Sequence, residues 1–525
     1  MNGEGAALNR LRGWAALASR VAAGASIIIA AWYVIAMLGV ELPEPGAIQP
    51  FHPAYIDVRP AWAMLLALAY LPALKYAAPL PLLMAAAPHW TLATASLATV
   101  ILYRKSLVDG LLWALLGLEA LTLCEQVAIL LGLRPYGPFI QIEKTLRLAA
   151  STATLPLLTA LILLGPLKYI EQLAKRQSRL AGGWKGRPRH LLPAIALSLA
   201  VACMPYLPTI NPTAKLIGVD PAHYYPQWLQ ELRENFTFSH PALRSRPLFV
   251  LLIYGLSELL GVYWTMRIIQ LLCFISFTVA TYYFTLWLVG ERDARLAALL
   301  FPLSYTATVL VHSGYCNNML ASSLSLPALA LMERWCWGGG TRVLLAGILL
   351  YEAAILTHPY STLFYSIALG GAALLKKGKR MLALLLISAI FALQSELLSI
   401  GFGEREATRV MKAYAVPLSP EWTQATAFVT YNCAINAALD PATWILALAG
   451  LMRIEDGVLI SIAAATSAVA LLAPLSSWGL RWRAIYALPL ATYQALALKK
   501  ASRNVQALAL LTLVNYAINY VANIV

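Results

Sequence analysis

Apolar stretches of roughly 20 residues recur from residue 21 to the C-terminus, and this recurrence constrains the chain more tightly than any other feature. A bilayer core about 30 Å thick is crossed by a helix of about that length, so the repeated runs predict a polytopic helical membrane protein. Composition agrees: 60% of the 525 residues are hydrophobic, 12% are charged, and the mean hydropathy is +0.68. These values exclude an ordinary soluble enzyme. The formal charge is +15. Its basic residues fall mostly between apolar runs, which points to loops obeying the positive-inside rule and to no nucleic-acid partner. Six cysteines, at 124, 203, 273, 316, 336 and 433, show no CxxC spacing, so neither a zinc site nor a disulfide framework is expected. The first apolar run follows Arg10, Arg12 and Arg20 and is expected to be a retained helix.

Sidedness is read from residues 168–189, where Lys168, Lys175, Arg176, Arg179, Lys185, Arg187 and Arg189 face one acid, Glu171. This segment is expected to be a cytoplasmic linker between an N-terminal transmembrane block, 1–167, and a second module, 190–525. Threading onward predicts spans at 190–207, 266–289, 294–311, 317–335, 342–357, 360–375, 381–400, 430–452, 457–475, 484–498 and 504–524. GERDAR (290–295), KKGKR (376–380) and KKASR (499–503) then fall on the cytoplasmic side. This requires 246–261, apolar but short, to be interfacial or re-entrant, and His358-Pro359 to divide two spans. In the N-terminal block, spans are expected at 21–40, 80–102, 109–132 and 147–167, with Glu119 and Glu125 inside the third.

The densest polar chemistry lies in a large external loop, 208–265, within GVDPAHYYPQWLQELRENFTFSHPALRSRP (218–247). Asp220 before Pro221 reads as an N-cap followed by proline at the first helical position. Tyr225, Leu229, Leu232 and Phe236 follow at helical spacing and predict an amphipathic helix on the outer membrane surface. Asp220 would stand at that interface as a general base, or simply cap the helix. Asp220 and His223 could share a divalent cation, but no third ligand stands at a recognisable spacing, so no cofactor is assigned.

An aspartate in the first large external loop, neighbouring tyrosines, a helix opened by Arg-Pro and late external arginines together resemble the GT-C superfamily. These are multispanning glycosyltransferases that use polyprenyl-phosphate sugars. The resemblance covers about residues 190–500, and the DPAHYY string is similar to the loop of the related oligosaccharyltransferases, whose WWDYG signature is absent here. It implies an all-α, GT-C-like helical bundle with interfacial helices in the external loop, preceded by the extra N-terminal block. It also implies Asp220 as the catalytic carboxylate and a late arginine, Arg481 or Arg483, on the lipid phosphate.

From the residues themselves, Arg481 and Arg483 break the positive-inside bias, and either snorkel to headgroups or clamp a phosphate. Arg405 and Arg409 share a face if their segment is helical. His223, Tyr224, Tyr225, Arg246, His312, Asn317, His358 and Tyr360 fall in the external loop or in turns on the same side, where they would line a substrate pocket or cap helix ends. The function expected is inverting transfer of a sugar from a polyprenyl-phosphate donor to a glycan, lipid or protein acceptor. The site would be on the extracytoplasmic face of a multi-pass protein of the cell membrane. A transporter or flippase of lipid-linked saccharides and a non-catalytic membrane scaffold remain as alternatives.

Overall fold

The computed structural model describes residues 164–174, 182–183, 186–208, 211–376, 378–402, 441–472 and 486–499, with most of 13–25 and residue 506. Arg405, Arg409, Arg481, Arg483, Glu119, Glu125 and almost all of the expected N-terminal spans lie outside the described residues. The chain divides into two compact units, and nearly all of the described structure belongs to the second: Thr159–Cys433, Ala447–Gln506 and Tyr516–Val525.

Among the described residues the regular structure is helical throughout. An apolar segment without water must satisfy its backbone internally, and a helix does so within one segment. Pro188–Tyr206, Pro247–Leu288 and Lys379–Ser399 are each long and apolar enough to cross a membrane. Prolines open several of the helices, at 241, 247 and 359, where the missing N–H removes nothing from the ladder.

The 42-residue helix Pro247–Leu288 is interrupted at Gly261, whose φ of 74° and ψ of 160° lie outside the helical region. Unbroken, it would measure about 60 Å, twice the thickness of a hydrocarbon core. Gly261 divides it into a short arm of about 20 Å and a longer one of about 40 Å. The break falls between the expected interfacial segment and the expected span. By contrast, the stretch 294–311 is not one straight helix. Glu291–Leu300 passes through a 3-10 turn at Phe301–Leu303 into Tyr305–His312, and the two parts are bent by 53°. Pro302 lies in that turn and cannot donate to the helical ladder.

Cys316–Cys336 is buried along nearly its whole length, packed between Pro247–Leu288 and Thr341–Thr357. A helix surrounded by other helices carries small and hydroxyl residues where a lipid-facing helix carries leucine, and Ser322, Ser323 and Ser325 are all buried here. Hydroxyl pairs join helices in the interior: Ser198 with Thr278 at 2.8 Å, Thr285 with Thr492 at 2.8 Å, and Thr362 with Ser395 at 3.0 Å.

One end of this bundle collects the basic segments. Arg334 donates to the carbonyls of Trp287, at 3.2 Å, and Gly182, at 2.5 Å, clamping the chain at Gly182 onto a helix terminus. A Cβ on Gly182 would lie 2.1 Å from the Trp287 carbonyl oxygen, so only glycine permits this approach. Lys376 pairs with the buried Glu333, Lys499 with Asp293 at 3.1 Å, and Arg295 with Glu291 at 2.9 Å. The loop 211–246 packs on the turn at 312–318 away from these basic groups, and its helix Pro241–Ser245 packs against Lys379–Phe402.

Candidate active site at the Asp220 turn

The helical turn begins one residue before Asp220. Val219 already has φ of −66° and ψ of −45°, so Asp220 lies inside the first turn and is not its N-cap. The turn Asp220–Tyr224 is a π-helix, closed by the N–H of Tyr225 donating to the Asp220 carbonyl. Pro221 and Pro226 each lack an N–H, and the shortage of donors accounts for the shift in register. The α-helix then runs Tyr225–Glu234. Tyr225, Leu229 and Leu232 are fully buried on its inner face, and each leucine contributes about 2 kcal/mol. Phe236 lies beyond the helix end and is 46% exposed, so it is not the fourth member of that stripe. It packs edge-on against Phe238 and Tyr254.

Two glycines seat the turn. Gly218 has φ of +96°, and a Cβ there would lie 2.7 Å from the His312 carbonyl oxygen. Gly314, with φ of +76°, leaves the space that the ring of Pro221 fills. The HSGYCNN turn is thus the floor on which Asp220 rests.

Tyr225 connects them. Its hydroxyl lies 3.2 Å from Asp220 Oδ2 and 3.1 Å from the Gly314 carbonyl oxygen, so one proton serves two acceptors. Its ring packs between Trp228 and Phe249, with centroids at 5.3 and 5.1 Å. Burial pushes the phenol well above its ordinary value, the Asp220 charge adds to this, and the Arg246 guanidinium opposes it. Tyr225 therefore stays protonated and acts as a donor. Arg246 is 9% exposed and lies over the Trp228 ring at 5.3 Å. Asp220 and Arg246 thus both act on Tyr225.

Gln270 holds the floor from below. It is buried and accepts from the Tyr206 hydroxyl at 2.5 Å, while its Nε2 donates to the carbonyls of Ile217 at 2.7 Å and Val311 at 3.2 Å. The Tyr206 hydroxyl also accepts from the Ile217 N–H at 3.3 Å. Both segments of the floor, at 217 and 311, are tied to one amide.

The remaining expected residues are placed as follows. His223 and Tyr224 are exposed on the π-turn. His312 is buried, with Nε2 3.1 Å from the Val201 carbonyl oxygen. Asn317 is buried, and its Oδ1 accepts from the Asn318 N–H at 2.8 Å. His358 caps the helix Pro359–Leu374, its Nδ1 accepting from the Ser361 N–H at 3.2 Å. The Tyr360 hydroxyl donates to the Ser399 carbonyl at 3.0 Å. Asp220, Tyr225, Arg246 and the 312–317 turn are therefore brought together, whereas His358 and Tyr360 serve a neighbouring helix end. Sequence reasoning missed Gln270, Gly218 and Gly314. A lone glutamine inside an apolar span was the available signal for the first, and the glycines carried none by themselves.

No family model matches this chain, and no curated protein matches it. Among solved structures, the chain is similar to the Archaeoglobus fulgidus oligosaccharyltransferase in its apo form. The match covers 62% of this chain and 56% of that one, at 15% identity and a TM-score of 0.29. The chain thus spans little more than half of that protein's length, and so loose a superposition assigns no fold.

Proposed function

We propose that this chain is a membrane glycosyltransferase that moves a sugar from a polyprenyl-phosphate donor to an acceptor at the Asp220 end of the bundle, on the extracytoplasmic face. The observation that carries this reading is a partly buried carboxylate accepting a proton-bearing contact from the fully buried Tyr225, in a turn seated by two glycines. Asp220 takes the proton of the acceptor hydroxyl while that oxygen attacks the anomeric carbon. The bond from that carbon to the phosphate oxygen breaks, its electron pair leaves with the lipid phosphate, and the anomeric centre inverts. A guanidinium offsets the charge arriving on the phosphate. Arg246 is the described arginine that supports this role, because it shares Tyr225 with Asp220. Glycan, lipid and protein acceptors all fit a hydroxyl nucleophile of this kind or its amide counterpart.

The test uses full-length protein in lipid nanodiscs with a labelled polyprenyl-phosphate sugar. Asp220→Asn should lower turnover by about 100-fold or more while donor binding persists. Undiminished transfer by Asp220→Asn would refute the assignment. Movement of the intact lipid-linked sugar across the bilayer, without cleavage, would establish the flippase alternative instead.

A further inference from the structure

Arg267 lies on the long arm of the broken helix, about 9 Å beyond the Gly261 break along the helix axis. Three aromatic rings surround its guanidinium: Tyr206 at 4.3 Å, Trp264 at 5.2 Å and Tyr263 at 5.6 Å. One N–H donates to the Tyr263 hydroxyl at 3.2 Å. No acidic side chain among the described residues pairs with it, whereas Arg233, in the same loop region, pairs with Glu258 at 2.9 Å. Tyr263 is itself fixed, donating to the Ala214 carbonyl at 2.6 Å, and Trp264 is 55% exposed.

An arginine in an apolar helix with no counter-charge among the described residues is costly to keep at the edge of the hydrocarbon, where water is scarce. Its planar fork matches phosphate oxygens in pairs, and exposed tryptophan and tyrosine belong at the headgroup level. We propose that Arg267, walled by Tyr206, Tyr263 and Trp264, binds the phosphate of a membrane lipid. The site is linked to the Asp220 floor, because the Tyr206 ring that stacks on Arg267 carries the hydroxyl bonded to Ile217 and Gln270. A bound phosphate therefore lies against the same side chain that holds the loop leading to Asp220. The ligand chemistry is a lipid phosphate ester, supplied either by a polyprenyl phosphate or by a bulk anionic phospholipid. This inference does not require the glycosyltransferase reading.

The experiment measures retention of labelled undecaprenyl phosphate by full-length protein in phosphatidylcholine nanodiscs, with phosphatidylglycerol as competitor. Arg267→Gln should weaken retention at least about tenfold, the loss expected for one charged hydrogen-bonding pair, and Arg267→Lys should restore only part of it. Displacement by equimolar phosphatidylglycerol identifies a general anionic-lipid site, whereas resistance to it identifies the polyprenyl phosphate. A folded Arg267→Gln that retains both lipids as the wild type does overturns the proposal. Should Arg267→Gln fail to fold, Trp264→Leu at an exposed position tests the same cage. Weakened retention then supports the site, and unchanged retention overturns it. Asp220→Asn should bind both lipids normally, so the lipid site and the catalytic reading fail separately.

Discussion

Gly314 and Pro221 stand so close that a Cβ on the glycine would lie 2.0 Å from the proline Cδ. The contact joins two turns that are far apart in the chain, and the position of the Asp220 carboxylate depends on it. Gly314 also has φ of +76°, which L side chains rarely adopt, so space and backbone both demand glycine. Gly314→Ala should destabilise the protein by about 1–3 kcal/mol and reduce turnover beyond what the lost stability explains. Gly255→Ala, in a helix with open space around it, is the control and should be neutral or slightly stabilising. Thermal midpoints and single-turnover rates separate the two.

Tyr225→Phe removes a buried donor from the Asp220 carboxylate and the Gly314 carbonyl while keeping the ring packing. A loss of about 1–2 kcal/mol is expected at neutral pH. Burial holds the wild-type phenol well above its ordinary value of 10.0 in the folded protein. The folded state therefore holds this proton more tightly than the unfolded chain, and stability should fall as pH rises past that value. Denaturation curves between pH 8 and 11 should show a shallower alkaline decline in Tyr225→Phe, and an identical decline would count against the buried hydrogen bond.

Gln270→Leu keeps the volume but leaves the Ile217 and Val311 carbonyls and the Tyr206 hydroxyl without their amide partner. Unpaired buried polar groups cost about 1–3 kcal/mol each, so a large destabilisation is expected, with Gln270→Glu less affected only at low pH. Hydrogen exchange at 211–218 and 311–314 should rise together in Gln270→Leu. Protection lost in only one segment would show that the amide does not tie them.

His240 and Glu231 meet at 2.8 Å in the loop 211–246, and the His240 hydrogen bond holds the Glu231 carboxyl below its ordinary value of 4.5. A depressed carboxyl contributes stability that is present above 4.5 and lost as pH falls through the lower folded value. The contribution is small, because Glu231 is 44% exposed and water screens it. Hydrogen exchange over 231–245 should increase between pH 5 and pH 3 in the wild type and be already raised in His240→Ala.

Asp456 caps the helix Gly457–Leu472 at the basic end, its Oδ1 accepting from the N–H groups of Val458 at 2.9 Å and Leu459 at 3.0 Å. Burial, with the neighbouring Glu333 charge, pushes its carboxyl up to about 8 from 3.8. A raised carboxyl favours the folded state when protonated, so this contribution declines as pH climbs from 3.8 toward 8. Asp456→Asn keeps the capping oxygen and removes the titration. It should melt higher than the wild type at pH 8 and close to it at pH 4, as followed by thermal unfolding in detergent.

Several helix limits were legible in the chain because their causes are local. The expected 317–335, 342–357, 360–375 and 381–400 correspond to Cys316–Cys336, Thr341–Thr357, Pro359–Leu374 and Lys379–Phe402. His358 does separate two helices, because Pro359 cannot donate to a continuing ladder. Failures occurred where local cues competed. Asp-Pro reads as a cap, yet a second proline five residues later shifted the turn to π register and drew Asp220 inside it. Pro302 bent a segment whose apolar pattern alone reads as continuous.

The amino-acid order alone determined that this is a helical chain with apolar runs long enough to cross a membrane and with helices that stop at particular prolines and glycines, since run length and missing donors act within a few residues. It also marked Asp220 and the DPAHYY string as the chemistry to inspect. Only the tertiary structure decided that Tyr225 reaches the Gly314 carbonyl 89 residues away, that Gln270 ties down Ile217 53 residues before it, and that Arg267 is stacked among three rings. Such contacts depend on which helices pack against each other, and neither a hydrophobic period nor a short motif encodes that choice.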